Sequence, residues 1–232
     1  MENILECRDL TKRYGSKTAL EQLSLSVESG KITGLLGPNG SGKTTLIKII
    51  SGILNYDGGE VFAGGHKIGI ESKKIISYLP ERPYFSPGMR VSETIKFFKD
   101  FYDDFSDDAA ADMLKSLNIN PDDKIRTLSK GTREKVQLVL VMSRKARLYL
   151  LDEPMGGVDP AARDFILKTI LNNYNEDAGV IISTHLISDV EKVLDDVIFI
   201  KNGHMVLHKN VDEIRSEKGK SVDTLFREVF AC

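Results

Sequence analysis

Nine consecutive residues carry the densest chemical signal in the chain: Gly37, Pro38, Asn39, Gly40, Ser41, Gly42, Lys43, Thr44 and Thr45. They fit the pattern G-x-x-x-x-G-K-[ST] in full. Glycines at 37, 40 and 42 let backbone N–H groups converge on phosphate oxygens with no side chain in the way. Lys43 supplies a cation to terminal phosphates, and the Thr44 hydroxyl is suited to Mg²⁺. A helix beginning at Lys43 would point its positive end at the bound anion. Alone, this loop specifies a nucleoside triphosphate and no more.

Three further stretches hold reactive groups. Leu148–Pro154 is an apolar run ending in Asp152 and Glu153. Carboxylates at the C-terminal end of a buried strand lie where ligands bind in open α/β sheets. Asp152 is placed to hold Mg²⁺, directly or through water. Glu153, at the other face of the strand tip, is suited to take a proton from an attacking water. Leu128-Ser129-Lys130-Gly131-Thr132 opens a helix, and a helix start receives anions; by themselves these residues require nothing beyond an ordinary N-cap. Ser183-Thr184-His185 follows an apolar run, and His185 read alone is a structural histidine.

These groups need a scaffold. Ile4–Leu10 and Leu20–Val27 alternate like strands, the second with Leu23, Leu25 and Val27 on one face. Lys31–Leu36, Ile75–Leu79, Leu148–Leu151 and Val180–Ser183 are short apolar runs, suited to strands buried on both faces of a mostly parallel sheet. A helix follows the glycine loop and stops at Gly52. Glycine pairs around Glu60–Ala63 mark a hairpin, and Asn202-Gly203 marks another between Val197–Lys201 and Met205–His208. Residues 84–146 hold helical patterns only, at Val91–Phe101 (started near Ser92), Asp107–Leu117 and after Leu128. Pro160 starts a helix over Ala161–Leu171. Val211–Phe230 reads as polar and helical.

Composition narrows the class. Of the 232 residues, 41% are hydrophobic and 28% charged, with a net charge of −2. That is a globular balance, and it lacks the basic excess of a nucleic-acid binder, so no nucleic-acid partner is expected. No apolar run approaches the ~18 residues a membrane helix needs. The first twenty residues are too charged for a secretory leader. Cys7 and Cys232 form no metal-ligand spacing and read as inert thiols of a reducing compartment.

In order along the chain stand Tyr14, GPNGSGKTT, LSKGT, LLDEP, Gly157-Val158-Asp159 and Ser183-Thr184-His185. Over residues from about 4 to about 208 this set resembles the nucleotide-binding subunits of ATP-binding cassette (ABC) transporters. The resemblance implies an α/β P-loop NTPase fold with a mostly parallel core sheet, an antiparallel β subdomain and a helical subdomain. The expected organisation is a single domain, 1–232, with the helical subdomain at about 84–146 and a short helical tail at about 209–232. ATP and Mg²⁺ are the implied cofactors. Tyr14 resembles the aromatic residue that stacks on adenine, and Gly37–Thr45 the phosphate loop. Ser129, Lys130, Gly131 and Thr132 occupy the signature that contacts the γ-phosphate of ATP on the other subunit. Asp152, with Thr44 and Glu81, takes the Mg²⁺ role. Glu153 and His185 take the catalytic roles of base and switch histidine, and Asp159 lies in the loop that crosses the dimer interface.

The implied partners are a second ATP-binding subunit, paired head to tail as a homodimer, and a transmembrane permease subunit. ATP hydrolysis would drive transport, with the chain cytoplasmic and peripheral on the inner face of the membrane through that permease. Partner contact is expected in the helical insertion near Glu81–Met89. The short tail and the LSKG variant look like export-type systems. Three departures bear on turnover: LSKGT stands for LSGGQ, Glu81 stands for a glutamine, and Gly156 stands for a serine. A soluble ABC ATPase acting on a protein or assembly partner is the alternative. A phosphate-loop kinase fits less well, since it lacks LSKGT and the acid after Asp152.

Overall fold

The computed structural model describes residues 2–158 and 160–230. Asp159 and Cys232 lie outside them.

The chain opens with two twelve-residue antiparallel strands, β1 (Asn3–Tyr14) and β2 (Lys17–Glu28). Strict alternation fails in both, for a local reason. Asp9 and Gln22 take positive φ, 49° and 46°, and each inserts a bulge. The Gln22 bulge lets Leu20 and Leu23, three apart, face the same core that Leu25 and Val27 enter. β3 (Ile32–Leu36) is buried at every position. The glycine loop leads from it into α1 (Lys43–Ile50), whose Leu46, Ile47, Ile49 and Ile50 are buried. Next come β4 (Gly58–Ala63) and the short β5 (His66–Lys67), which complete a four-stranded sheet of order β2-β1-β4-β5. Among the described residues, every neighbouring pair in that sheet is antiparallel.

A helix that the pattern did not reveal, α2 (Ile70–Ile75), precedes β6 (Ile76–Leu79). Only Ser72 of α2 is buried, so the helix carries no apolar stripe to betray it. Then three helices run without a strand: α3 (Val91–Phe101), α4 (Asp107–Ser116) and α5 (Lys130–Met142). The start of α3 differs from expectation. Arg90 holds the cap position, with its N–H donating to the Glu93 carboxylate at 2.7 Å. The Ser92 N–H instead donates to the Pro121 carbonyl at 2.8 Å.

β7 (Leu148–Asp152), α6 (Pro160–Asn173), β8 (Gly179–Thr184) and the short α7 (Ile187–Val190) follow. β9 (Asp196–Lys201) and β10 (His204–Asn210) form the Asn202-Gly203 hairpin. The second sheet has the order β10-β9-β3-β8-β7-β6, parallel except at β10. One apolar cluster lies between the two sheets and contains α1. The other fills the opposite face of the parallel sheet and extends into α3–α5.

The terminal stretch is two helices, α8 (Val211–Lys218) and α9 (Val222–Phe230), broken at Gly219 with φ 59°. It is also less polar than its composition implies. Phe226 and Phe230 pack their rings 5.4 and 5.8 Å from buried Phe199.

Candidate functional site

The loop is shaped from behind. A Cβ on Gly37 would stand 2.3 Å from the Ile200 carbonyl oxygen and 2.6 Å from Ser41 Oγ. One on Gly42 would stand 2.7 Å from the Ala19 carbonyl oxygen, and Gly42 has φ 114°. Thus β9 and β2 press the loop outward, and only glycine fits the contact points. Gly42 caps α1 with no side-chain hydrogen bond. The first N–H groups of that helix therefore lack the usual capping oxygen, which suits an incoming anion. Lys43 lies folded into the loop, its Nζ donating to the carbonyls of Gly37 at 2.7 Å and Pro38 at 3.2 Å. Burial holds its ammonium below the usual lysine range, against the pull of Glu153 and Asp152.

The tip of β7 brings the two acids to this loop. Asp152 is buried; its Oδ1 accepts from Ser183 Oγ at 2.6 Å and from Thr44 Oγ1 at 3.2 Å. Its Oδ2 is buried with no partner among the described residues. Burial raises the Asp152 pKa, the two hydroxyls lower it, and the charges of Glu153 and Glu81 raise it again. A carboxylate oxygen kept from water and left unpaired beside a threonine hydroxyl suits a hard, oxygen-ligated cation, so this pair fits Mg²⁺. Glu153 takes φ 51°, a left-handed conformation that costs a non-glycine residue on the order of 1 kcal/mol or more. The turn is held by its N–H donating to the Ser183 carbonyl at 3.0 Å and Ser183 Oγ at 3.1 Å. Glu153 Oε2 lies 2.9 Å from His185 Nδ1. The imidazole tautomer sets which of the two donates.

An open cleft of about 1100 Å³ joins these groups, lined by Tyr14, residues 40–45, Glu81, Glu153 and His185. Tyr14 ends β1 half-exposed, with Lys12 Nζ 5.5 Å from its ring centre. Asn39 also lines the cleft; Gly37 and Pro38 do not, and reach it only through their carbonyls, which accept from Lys43. Glu81 is exposed just beyond β6. Its neighbour Pro80 has its carbonyl bound by Gln137 Nε2 at 2.9 Å, from the buried face of α5. Of the signature residues, only Lys130 lines this cleft; Ser129, Gly131 and Thr132 do not. Ser129 Oγ caps α5 through the Thr132 N–H at 3.1 Å and sits 2.7 Å from Thr132 Oγ1. Lys130 and Gly131 have ordinary helical backbones, so a lysine in place of glycine meets no backbone penalty there. Gly156 lies in the turn after Glu153, and Asp159 is outside the described residues.

Sequence reasoning gave Ser183 no role, although it holds both acids. It lay within Ser-Thr-His, but nothing in the spacing says which groups its hydroxyl reaches. Gln137 was missed because it stands alone in an apolar helix. The stretch Glu81–Met89, where partner contact is expected, holds both packed and exposed aromatics. Phe85 and Met89 pack on the core, while Tyr84, Phe97 and Phe101 are the exposed aromatics.

A glycine loop between a parallel strand and a helix, with acids at the tip of a neighbouring parallel strand, defines a P-loop NTPase. A model of the ABC transporter family matches residues 20–156. The chain belongs to that family; it is an ABC transporter ATP-binding subunit and an ATPase. It is 35% identical over 212 residues to the uncharacterised ABC transporter ATP-binding protein YdbJ of Bacillus subtilis (strain 168), covering 88% of this chain and 68% of that one. The linearmycin resistance ATP-binding protein LnrL of the same organism is 32% identical over 211 residues, with 88% and 68% coverage. The lipopolysaccharide export system ATP-binding protein LptB of Escherichia coli (strain K12) is 29% identical over 225 residues, covering 92% and 93%. A solved ATP-binding subunit of an ABC transporter superposes with a TM-score of 0.87 at 27% identity, covering 97% and 99%. No helix among the described residues is long and apolar enough to cross a membrane. ATP-binding subunits of this family dimerise and work with transmembrane partners.

Proposed function

We propose that this chain hydrolyses ATP at sites shared between two copies, and that hydrolysis powers export through a separate membrane-spanning partner. The observation that carries the hydrolytic reading is the Glu153–His185 pair at 2.9 Å, set beside Lys43 and Asp152. Glu153 takes a proton from water as the water oxygen bonds to the γ-phosphorus and the bond to the β-phosphate oxygen breaks, leaving ADP. His185 holds the Glu153 carboxylate in place. Lys43 leaves the carbonyls of Gly37 and Pro38 for the phosphate oxygens, and Tyr14 stacks on adenine at the cleft mouth. Thr44 and Asp152, with Glu81 nearby, would hold Mg²⁺, which when bound neutralises charge on the phosphate oxygens. Ser129, Gly131 and Thr132 stand outside the cleft of their own copy, as residues that meet a second copy's ATP would. Asp159 belongs to the same interface.

The pairing is isologous, as twofold symmetry requires. A groove of about 500 Å³, lined by Ile53, Tyr78, Tyr84 and Phe98 among others, lies between the end of α1, β6 and α3. Tyr78 Oη is buried there without a partner among the described residues. We assign this groove to a cytoplasmic segment of the membrane partner, which places the chain on the inner face of the membrane. Export is supported by the names of two relatives, one a resistance protein and one an export protein.

A Glu153→Gln variant tests the site. ATP binding should persist while phosphate release falls by about 100-fold or more, the usual contribution of a general base. Hydrolysis at the wild-type rate would remove Glu153 from this role. Copurification with a protein of several membrane spans tests the transport half.

A further inference from the structure

β6 is an edge strand of the parallel sheet, and its last paired residue is Leu79, opposite Leu151. The residues just beyond it form a wall between two openings. Pro80, Arg82 and Tyr84 line the groove beside α1 and α3, while Glu81, Pro83 and Phe85 line the ATP cleft. Arg82 lines both. This is the period of an extended chain, whose successive side chains point to opposite sides. A slip of one residue would turn Glu81 toward the groove.

α5 holds this wall at its first residue. Gln137 is 2% exposed, in a run of buried residues from Val136 to Met142 that is otherwise apolar. An amide buried in such a run costs free energy unless it is hydrogen-bonded. Its Nε2 donates to the Pro80 carbonyl at 2.9 Å. Among the described residues, no other hydrogen bond outside the strand ladder reaches residues 80–85. The base of β6 has anchors of its own. Ser77 Oγ donates to the Val141 carbonyl at 2.9 Å, and Arg144 Nη1 donates to the Ile76 carbonyl. The base of β6 is thus tied to α5 without Gln137, whereas the exit from β6 is not. An apolar side chain at 137 would suit its neighbours and leave that exit unheld.

We propose that Gln137 is a positioning residue for ATP hydrolysis: by holding the Pro80 carbonyl it sets the register of the wall, so that Glu81 faces the ATP cleft and not the groove. This rests on the reading of Glu81 as a group beside the Mg²⁺ site and adds the residue that aims it. Gln137 does not line the cleft itself. Its effect passes through the backbone of residue 80.

The test uses the full chain in a Glu153→Gln background, where ATP is bound and not turned over. Binding of a fluorescent ATP analogue is measured with Mg²⁺ and with EDTA, and the quantity read is the gain in affinity that Mg²⁺ confers. Gln137→Met keeps an unbranched side chain and removes the donor; Gln137→Leu removes it with a second shape. Each should lower that gain by about threefold to tenfold, the scale of one hydrogen bond. General damage to the cleft would weaken binding alike in both media and leave the gain unchanged.

The same measurements in a Glu81→Ala background separate the roles. With Glu81 gone there is nothing left to aim, and Gln137→Met should change the gain no further. An equal loss with and without Glu81 overturns the proposal, and so does a Gln137→Met chain with the parent's gain. In either case the reading of Glu81 stands, provided that Glu81→Ala alone lowers the gain. If Glu81→Ala alone keeps the parent's gain, that reading is wrong and this proposal falls with it.

Discussion

Ser183 shows how much one hydroxyl can organise. It donates to Asp152 Oδ1 and accepts from the Glu153 N–H, so a single side chain fixes both acids at the tip of β7 from the neighbouring strand β8. Without it, Asp152 would keep only Thr44, and the left-handed turn at Glu153 would lose one of two supports. Groups that orient a metal ligand typically account for about 10–100-fold in affinity or activity. Ser183→Ala is therefore expected to lower kcat/KM by about that factor and raise the Mg²⁺ concentration needed for half-maximal hydrolysis. Titration of ATPase activity with Mg²⁺ reads this directly. An unchanged Mg²⁺ dependence would mean that Asp152 needs no orienting partner.

Elements set the shape that these residues share. The phosphate loop bulges because β9 and β2 lie against its back, with Ile200 and Ala19 carbonyls at the two critical glycines. Backbone oxygens cannot rotate away as a side chain could. Gly37→Ala must therefore move the loop or β9, and overpacking of this kind costs about 1–3 kcal/mol. It should lower the melting temperature and weaken binding of a fluorescent ATP analogue by at least tenfold, since the cradle itself is displaced. Analogue binding at wild-type strength would show that this packing does not shape the cradle. The helical segment is tied to the same region by two polar contacts. Gln137 holds the Pro80 carbonyl next to Glu81. Buried Arg144 binds Asp104 at 2.9 and 3.0 Å and lies 3.7 Å from the Tyr102 ring centre. Its guanidinium also donates to the carbonyls of Ile76 and Lys74 at the head of β6. Gln137 thus ties α5 to the loop that carries Glu81, and Arg144 ties the helical segment to the head of β6.

At the scale of the whole molecule, the parallel sheet needs cover on both faces. α1 and the antiparallel sheet supply one side. The other is covered by α3–α7 and also by the terminal helices, whose Val211, Ile214, Val222 and Leu225 are all buried. Each such side chain contributes about 1.5–3 kcal/mol on burial. Deleting residues 211–232 would remove these contacts and expose Phe199. The expected result is a fall in melting temperature of about 10 °C or more, given the ~2–4 °C per kcal/mol typical of this size. ATP binding at low temperature should survive, because no described residue of the tail lines the cleft. A melting temperature within a degree or two of the full chain would show the tail to be an appendage. The chain's apolar face also shields Cys7, whose thiol burial pushes up to about 12, in keeping with an inert thiol.

The sequence by itself determined the chemistry of the loop, the buried parallel strands and the order of the motifs, because these are local. Glycine spacing, unbroken apolar runs and the Asn202-Gly203 turn act within a few residues of one another. Only the tertiary structure decided which of these groups meet. Asp152 reaches Thr44 across 108 positions and Ser183 across 31, through strand neighbours that no spacing specifies. The same holds where the reading was incomplete. α2 has no apolar stripe, the tail's aromatics become core only because Phe199 lies beneath them, and Arg90 caps α3 through Glu93 rather than through Ser92. Gly37–Thr45 names a triphosphate from its own residues. Its floor, its acids and the distant Lys130 come to one cleft only when two sheets and a helical segment close around it.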